Sequence, residues 1–291
     1  MQCENPMLIK ERNKDIPLSK RDYIYVPCGK CFACQMNKAR DWSYRIMNES
    51  KLYDENVFVT LTYNEDNLPR VSDTQGTLVK RDLQNFMKRL RKAVAPRKIR
   101  FFACGEYGEK YVRPHYHLII FNLGQSTLLQ QPALLERCWP FGFVSVGSVT
   151  FGSASYVARY TTKLLTGDKK KLYKEYNIEP EFALMSRKPG IGVPFLSKVA
   201  DFAKNHKFLR QGQFKVSVPR LYRTKIWQTE EDKQELQHYM RDVARKLSEE
   251  LAKEYGLEWY AVRGSAKASK SAKVASLMSK KRLSLNRKNP L

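Results

Sequence analysis

The pattern of hydrophobic and polar positions predicts a mixture of short strands and helices. Side chains alternate along 142–150, which is typical of a strand with one buried face. In 80–94 the apolar residues recur every three or four positions with basic residues opposite, which is typical of an amphipathic helix. The strands expected in this way are 23–26, 57–63, 99–104, 113–121 and 142–150, and the helices are 37–52, 80–94, 132–139, 155–165 and 229–255.

Between residues 57 and 150 these elements follow the order strand, helix, strand, strand, helix, strand. This is the ferredoxin-like βαββαβ order, in which an antiparallel sheet carries helices on one face. The helix predicted at 155–165 comes directly afterwards. We therefore expect an α+β protein that is built around one antiparallel sheet.

The length of 291 residues suits one large domain with smaller extensions. We expect a Cys-rich element and helix in 1–55, the main domain in 56–200, a helical C-terminal extension in 201–260 and a tail in 261–291. From residue 262 onward the chain has many basic residues and no acidic one. That composition predicts a disordered segment that binds DNA without sequence preference, and a solubilising end is the alternative.

The net charge of +24 is far greater than solubility requires and indicates a polyanionic partner. An aromatic content of 12% favours nucleic acid over a general basic bias, because rings interleaved with cations stack on unpaired bases. The chain has no apolar run of about 18 residues, so we expect no membrane span. Its first ten residues do not resemble a secretory signal.

Three of the six cysteines, Cys28, Cys31 and Cys34, follow one another at C-x2-C-x2-C spacing. Because no export signal is expected, this spacing indicates a metal site rather than disulfides. The three thiolates would supply three of the four ligands of a tetrahedral Zn²⁺ ion, and a tight loop of thiols without metal is the alternative. The candidates for the fourth ligand are the remaining cysteines, Cys3, Cys104 and Cys138.

Two of the four histidines, His115 and His117, begin an apolar, β-branched run. On a strand they leave the same face while Tyr116 leaves the other, so the two imidazoles can hold one metal ion. Glu106, at the end of the preceding strand, is the expected third ligand, with Glu109 in the turn as the alternative. Two half-buried strand histidines without a metal are the other interpretation of so short a motif.

The predicted helix at 155–165 places Tyr156, Tyr160 and Lys163 on one face. A phenol is a poor nucleophile at neutral pH until a cation or a base favours its phenolate, and Lys163 is spaced to do so for Tyr160. A tyrosine stripe at helical spacing is also typical of a helix that packs in a core, which is the alternative.

Taken together, three ordered motifs resemble the HUH superfamily of rolling-circle replication initiators. They are the strand 58–63 with its threonines, the segment 105–108 followed by the histidine pair, and the tyrosine helix. The blocks 27–31 and 186–192 also resemble the initiators of small single-stranded-DNA phages of the Microviridae, the gokushovirus branch especially. The residue between the histidines departs from the family pattern, because Tyr116 stands where an aliphatic residue is usual.

The resemblance implies an HUH endonuclease fold with a catalytic helix, and a metal-dependent, site-specific DNA endonuclease and ligase. Tyr156 or Tyr160 would attack DNA at the viral origin, leaving a 5′-phosphotyrosine and a free 3′-hydroxyl, and would later rejoin the ends. Tyr160 is expected to make the first cut, since it has the Lys163 spacing of single-tyrosine relatives. The expected ion is Mg²⁺ or Mn²⁺, which two imidazoles and a carboxylate would hold while leaving positions open for phosphate oxygens.

The same resemblance implies single-stranded DNA and the viral origin as partners, together with host helicase and polymerase, in the host bacterial cytoplasm. Four basic residues are candidates for contacts to DNA: Arg113, Arg159, Arg187 and Lys188. A second class of function is a non-enzymatic, zinc-containing nucleic-acid-binding protein with a packaging or regulatory role. In that case the histidines and tyrosines belong to the core.

Overall fold

The computed structural model describes residues 3, 5–10, 23–73, 75–108, 113–163 and 173–255. The strands are β1 (Met7–Lys10), β2 (Tyr23–Val26), β3 (Asn56–Tyr63), β4 (Arg100–Tyr107), β5 (Pro114–Phe121), β6 (Gly142–Ser148), β7 (Phe182–Met185), β8 (Phe208–Gln211) and β9 (Phe214–Ser217). The helices are α1 (Phe32–Ser50), α2 (Lys80–Ala93), α3 (Gln125–Gln130), α4 (Leu134–Cys138), α5 (Phe151–Lys163), α6 (Ala200–His206), α7 (Arg220–Ile226) and α8 (Glu230–Tyr255), with one 3₁₀ turn at Leu196–Lys198.

Five strands form the central sheet in the order β6-β3-β5-β4-β7, and every neighbouring pair is antiparallel. Strands β3 and β5, the first and third of the predicted βαββαβ unit, therefore lie side by side in the middle. This arrangement confirms the predicted α+β class and the antiparallel sheet. Two smaller two-stranded sheets are β1-β2 and β8-β9.

Burial differs between the strands of the central sheet. In β3 every second residue is buried, whereas β4 and β5 are buried almost continuously along their length. A strand that is apolar on both faces needs a cover on both faces. The expectation of helices on one face was therefore incomplete.

The two faces are covered by different helices. On one face β3, β4 and β5 pack against α2 and α4, with Leu83, Phe86 and Leu90 of α2 fully buried. On the other face Phe102 of β4 and Ile119 of β5 pack against α1 and α5. The predicted tyrosine helix thus lies on the face of the sheet that α2 does not cover.

The chain divides into two compact units, 1–38 together with 227–291, and 39–226. Helix α8 agrees with the predicted helix 229–255, whereas β7, β8, β9, α6 and α7 were not expected. Among the described residues no helix is long and apolar enough to cross a membrane. The predicted tail and Glu109 lie outside the described residues, and the predicted domain boundaries stay predictions.

Candidate active site on the β5 and α5 face

His115 and His117 lie on the same face of β5, and each is paired in register with a threonine of β3. Thr60 Oγ1 lies 3.0 Å from His117 Nδ1, and Thr62 Oγ1 lies 3.1 Å from His115 Nδ1. When each Nδ1–H donates to its threonine oxygen, Nε2 carries the lone pair that a metal ion needs. The threonines therefore orient both rings, a role that we did not assign from the sequence.

Glu106 lies directly opposite His115 in the β4-β5 register, as the antiparallel pairing predicts. The histidine that its side chain contacts is nevertheless His117, because Glu106 Oε1 lies 2.7 Å from His117 Nε2. The carboxylate is buried, with 3% of the residue exposed. Its second oxygen, Oε2, is buried without a hydrogen-bond partner among the described residues.

The tyrosines of α5 reach the same carboxylate. The Tyr156 hydroxyl donates to Glu106 Oε1 at 2.6 Å, and the Tyr160 hydroxyl donates to Tyr156 Oη at 3.2 Å. The Tyr156 ring also packs edge-on against His117, with 5.0 Å between ring centroids. The structure thus brings His117, Glu106, Tyr156 and Tyr160 into one connected chain of contacts. Lys163 is the last residue of α5, and its side chain lies outside the described atoms.

The two tyrosines differ in their surroundings. Tyr160 is buried, with 6% of the residue exposed, whereas Tyr156 is half-buried and directly touches Glu106. Burial, and then the hydrogen bond to Glu106 and its charge, raise the pKa of Tyr156 well above its ordinary value, while Arg159 acts in the opposite direction. The expectation that Tyr160 cuts first stays a prediction.

The residues present fit a divalent metal ion. Burial, and then the neighbouring His117, lower the pKa of His115, which favours the neutral form of the ring that binds metals. A side chain at Gly108 would lie 3.2 Å from His115 Nε2, so glycine keeps this nitrogen accessible. The orphaned Oε2 of Glu106 supplies a third donor. The three ligand groups are not gathered as closely as the cysteines are.

The predicted DNA contacts are distributed over several elements. Arg113 is engaged by Glu65 and by the carbonyl oxygen of Tyr63, at 2.8 Å and 2.7 Å. Arg159 lies on α5 beside Tyr156, and Arg187 and Lys188 are exposed in the loop after β7.

One glycine of that loop has a packing role. Gly192 has a φ of +77°, and a Cβ there would lie 2.6 Å from the Tyr222 hydroxyl. Its N–H donates to Glu49 Oε2 at 2.6 Å. This glycine therefore packs tightly against the protein.

The cysteines form a separate site in the other compact unit. Cys3, Cys28, Cys31 and Cys34 have sulfur atoms that all lie within 4.8 Å of one another. Of the residues described, these form the one group of three or more potential metal ligands gathered so closely. Cys104 and Cys138, the other candidates for a fourth ligand, are buried in the two hydrophobic clusters beside the sheet.

Comparison with known proteins identifies relatives of this chain. Residues 56–165 match the model of a family described as replication-associated protein ORF2. The replication-associated protein VP4 of Bdellovibrio phage phiMH2K is 31% identical over 248 residues, which are 78% of this chain and 74% of that protein. The replication-associated protein ORF2 of Spiroplasma virus 4 is 36% identical over 185 residues, 58% of this chain.

A further relative is the replication-associated protein ORF4 of Chlamydia phage 1, which is 28% identical over 81% of this chain. The chain spans 56% of the length of the Spiroplasma virus protein and 57% of the Chlamydia phage protein. No solved structure gives a significant match.

Proposed function

Because the chain belongs to the family of replication-associated protein ORF2, we propose that it initiates rolling-circle replication by nicking viral DNA at the origin with a tyrosine. The observation that carries this proposal is the contact chain from His117 through Glu106 to the Tyr156 hydroxyl. It joins a potential nucleophile to potential metal ligands on an antiparallel sheet. The fold would then be that of an HUH endonuclease.

In the proposed reaction the Tyr156 or Tyr160 oxygen attacks phosphorus, and the bond from phosphorus to the 3′ oxygen breaks. The products are a 5′-phosphotyrosine and a free 3′-hydroxyl, which takes its proton from solvent. Tyr156 already donates to Glu106 Oε1, so this oxygen can accept the phenol proton. Glu106 Oε2 stays available as a ligand.

His115, His117 and Glu106 would hold Mg²⁺ or Mn²⁺, which neutralises phosphate charge and polarises the P–O bond when bound. Lys163 and Arg159 would favour the phenolate or hold the scissile phosphate, since both lie on α5 with the tyrosines. Zinc at the cysteine cluster is a separate proposal, because those thiolates belong to the other compact unit.

The covalent intermediate keeps the energy of the phosphodiester bond, so the same site can rejoin DNA ends without a nucleotide. A second tyrosine allows the regenerated origin to be cut while the first still holds the old 5′ end. The reaction would take place in the host bacterial cytoplasm, on single-stranded DNA and the viral origin. A host polymerase would extend the free 3′ end, and a host helicase would unwind the duplex ahead of it.

The test uses the circular single-stranded genome that encodes the chain, because it contains the origin wherever that lies. With Mn²⁺, the full chain should open the circles. His117→Ala should lower this rate by at least about 10- to 100-fold, because losing a ligand costs no less than losing one of its outer partners. DNA binding should stay intact. His238→Ala, whose side chain is 81% exposed on α8, is the matched control.

Intact circles with the wild-type chain, despite DNA binding, would favour the non-enzymatic alternative. Equal cleavage by His117→Ala and by the wild-type chain would show that His117 has no role in the reaction.

A further inference from the structure

Four cysteine sulfur atoms meet although their residues come from separate parts of the chain. Cys3 precedes β1, Cys28 and Cys31 lie in the loop after β2, and Cys34 lies in the first turn of α1. The Cys28 N–H donates to Cys3 Sγ at 3.2 Å, and the Cys31 N–H donates to Cys28 Sγ at 3.3 Å. The thiols therefore converge on one point, and backbone groups hold them there.

The spacing of the sulfur atoms fits a metal ion better than paired disulfides. Zn–S bonds of about 2.3 Å at tetrahedral angles separate neighbouring sulfur atoms by roughly 3.8 Å. Cys31 Sγ and Cys3 Sγ are 3.8 Å apart. Four sulfur ligands also leave no open position, which is typical of a structural ion rather than a catalytic one.

We propose that Cys3, Cys28, Cys31 and Cys34 bind one zinc ion, and that Cys3 is the fourth ligand that sequence spacing left open. The ion would fasten the beginning of the chain to the start of α1. Gly29, with a φ of +74°, supplies the left-handed residue that the loop between Cys28 and Cys31 requires. The ligands of this site are thiolates, whereas those of the histidine site are imidazoles and a carboxylate. The two sites also belong to different compact units.

Elemental analysis of the full chain, prepared without chelators, tests the zinc site independently of DNA cleavage. We expect close to one zinc per chain. The zinc ion should transfer to a competing chelator at least about tenfold faster from Cys3→Ser than from the wild-type chain. Cys138→Ala, which removes a buried thiol outside the cluster, should retain zinc as the wild-type chain does. The visible spectrum of the cobalt-substituted protein should indicate four thiolates, and three in Cys3→Ser.

Absence of zinc, iron in its place, or unchanged zinc retention by Cys3→Ser would overturn this assignment. Cys34→Ser keeps the test decisive if Cys3→Ser fails to fold, since it removes a ligand at the other end of the site.

A second feature lies on the face of the sheet that carries the histidines. Thr62 pairs with His115 on one side and with Phe143 of β6 on the other. Directly paired residues share a face, so Phe143 lies on the histidine face, two strand spacings or roughly 10 Å from His115. Its side chain is nevertheless exposed, with 67% of the residue accessible.

This part of the face is open beside the site. Helix α5 packs on β4, β5 and β7, whereas Phe143, Ser145 and Gly147 of β6 are exposed. A flat aromatic ring on an open surface, continuous with a site for DNA phosphates in a strongly basic chain, suits an unpaired base.

We infer that Phe143 stacks on a base of single-stranded DNA next to the scissile phosphate, an inference that rests on the proposed function. The partner surface would run from β6 across β3 to the histidines. The competing occupant is a second copy of the chain, since an edge strand can also pair with another strand.

Binding of a short oligo-dT, measured at raised salt where phosphate contacts weaken, separates the two occupants. Stacking is worth about 1–3 kcal/mol per base, so Phe143→Ala should bind about 5- to 150-fold more weakly. Phe143→Tyr should bind normally, and so should Leu129→Ala, which removes a side chain of a residue 71% exposed on α3.

Unchanged affinity of Phe143→Ala, with or without a change in oligomeric state, would overturn the stacking role. Binding of oligo-dT does not require that the oligonucleotide be cut. A failure of the nicking proposal would therefore appear separately, in the opening of circles.

Discussion

At the scale of single residues, the site depends on groups that hold the histidines as much as on the histidines themselves. The two threonine hydroxyls of β3 reach Nδ1 of the two rings. The sequence could predict the histidine pair and Glu106 from alternation and strand order. It could not predict which oxygen reaches which nitrogen, because a hydrogen bond depends on the pairing register of β3 with β5.

Thr60→Val removes one of these hydroxyls while keeping the side-chain volume. We expect about 10- to 100-fold more Mn²⁺ to be needed for half-maximal cleavage, as for other outer partners of metal ligands. Thr224→Val, at an exposed position of α7, is the control. An unchanged Mn²⁺ requirement for Thr60→Val would contradict the orienting role.

Tyr116, the unusual residue between the histidines, is fully buried as expected of a side chain on the core face. Its hydroxyl nevertheless forms hydrogen bonds. It accepts from the Val79 N–H at 2.8 Å, before the first turn of α2, and lies 2.8 Å from the Tyr63 hydroxyl. The ring could be predicted from alternation, but these polar partners could not.

Tyr116→Phe should therefore lower the free energy of unfolding by about 1–3 kcal/mol, because it leaves the half-buried Val79 N–H without its partner. Urea unfolding measures this change, and Tyr176→Phe at an exposed tyrosine should have no effect. Equal stability of Tyr116→Phe and the wild-type chain would mean that the hydroxyl contributes nothing.

At the scale of elements, β3, β4, β5, β6 and α2 agree with the predicted positions to within three residues. The residues of β3, β6 and α2 carry a clear period, whereas β4 and β5 are recognised as apolar runs of strand length between turns. The short strands β7, β8 and β9 have only four residues each, too few for a period to emerge. The position of α1 and α5 on the other face of the sheet was not predicted, for another reason. It follows from the unbroken apolar runs of β4 and β5, which periodicity alone cannot separate from helix.

Helix α5 places two tyrosines one turn apart, with Tyr156 hydrogen-bonded to Glu106 and Tyr160 hydrogen-bonded to Tyr156. If the two alternate, Tyr156→Phe and Tyr160→Phe should each retain some covalent attachment to origin DNA, and the double variant should retain none. Neither single variant should release closed circles over repeated turnovers. Normal circle release by one of them would leave a nickase with a single working tyrosine.

At the scale of the whole molecule, the net charge of +24 predicts that binding to single-stranded DNA depends on salt. With six to ten phosphate contacts, affinity should fall by about 10³- to 10⁵-fold between about 50 mM and about 200 mM salt, or somewhat less for single strands. Titration by fluorescence anisotropy measures this dependence. His117→Ala should follow the same slope, because phosphate contacts do not need the metal site. Affinity that is independent of salt would contradict a binding surface made of basic residues.

The central claim is that a tyrosine of α5 becomes joined to DNA. Mass spectrometry of peptides from the wild-type chain, after reaction with circular single-stranded DNA that contains the origin, in Mn²⁺, and digestion of the DNA, tests this directly. We predict a nucleotide linked through its 5′ phosphate to Tyr156 or Tyr160. Cleaved DNA with both tyrosines unmodified, or a nucleotide linked to a residue outside α5, would contradict the account.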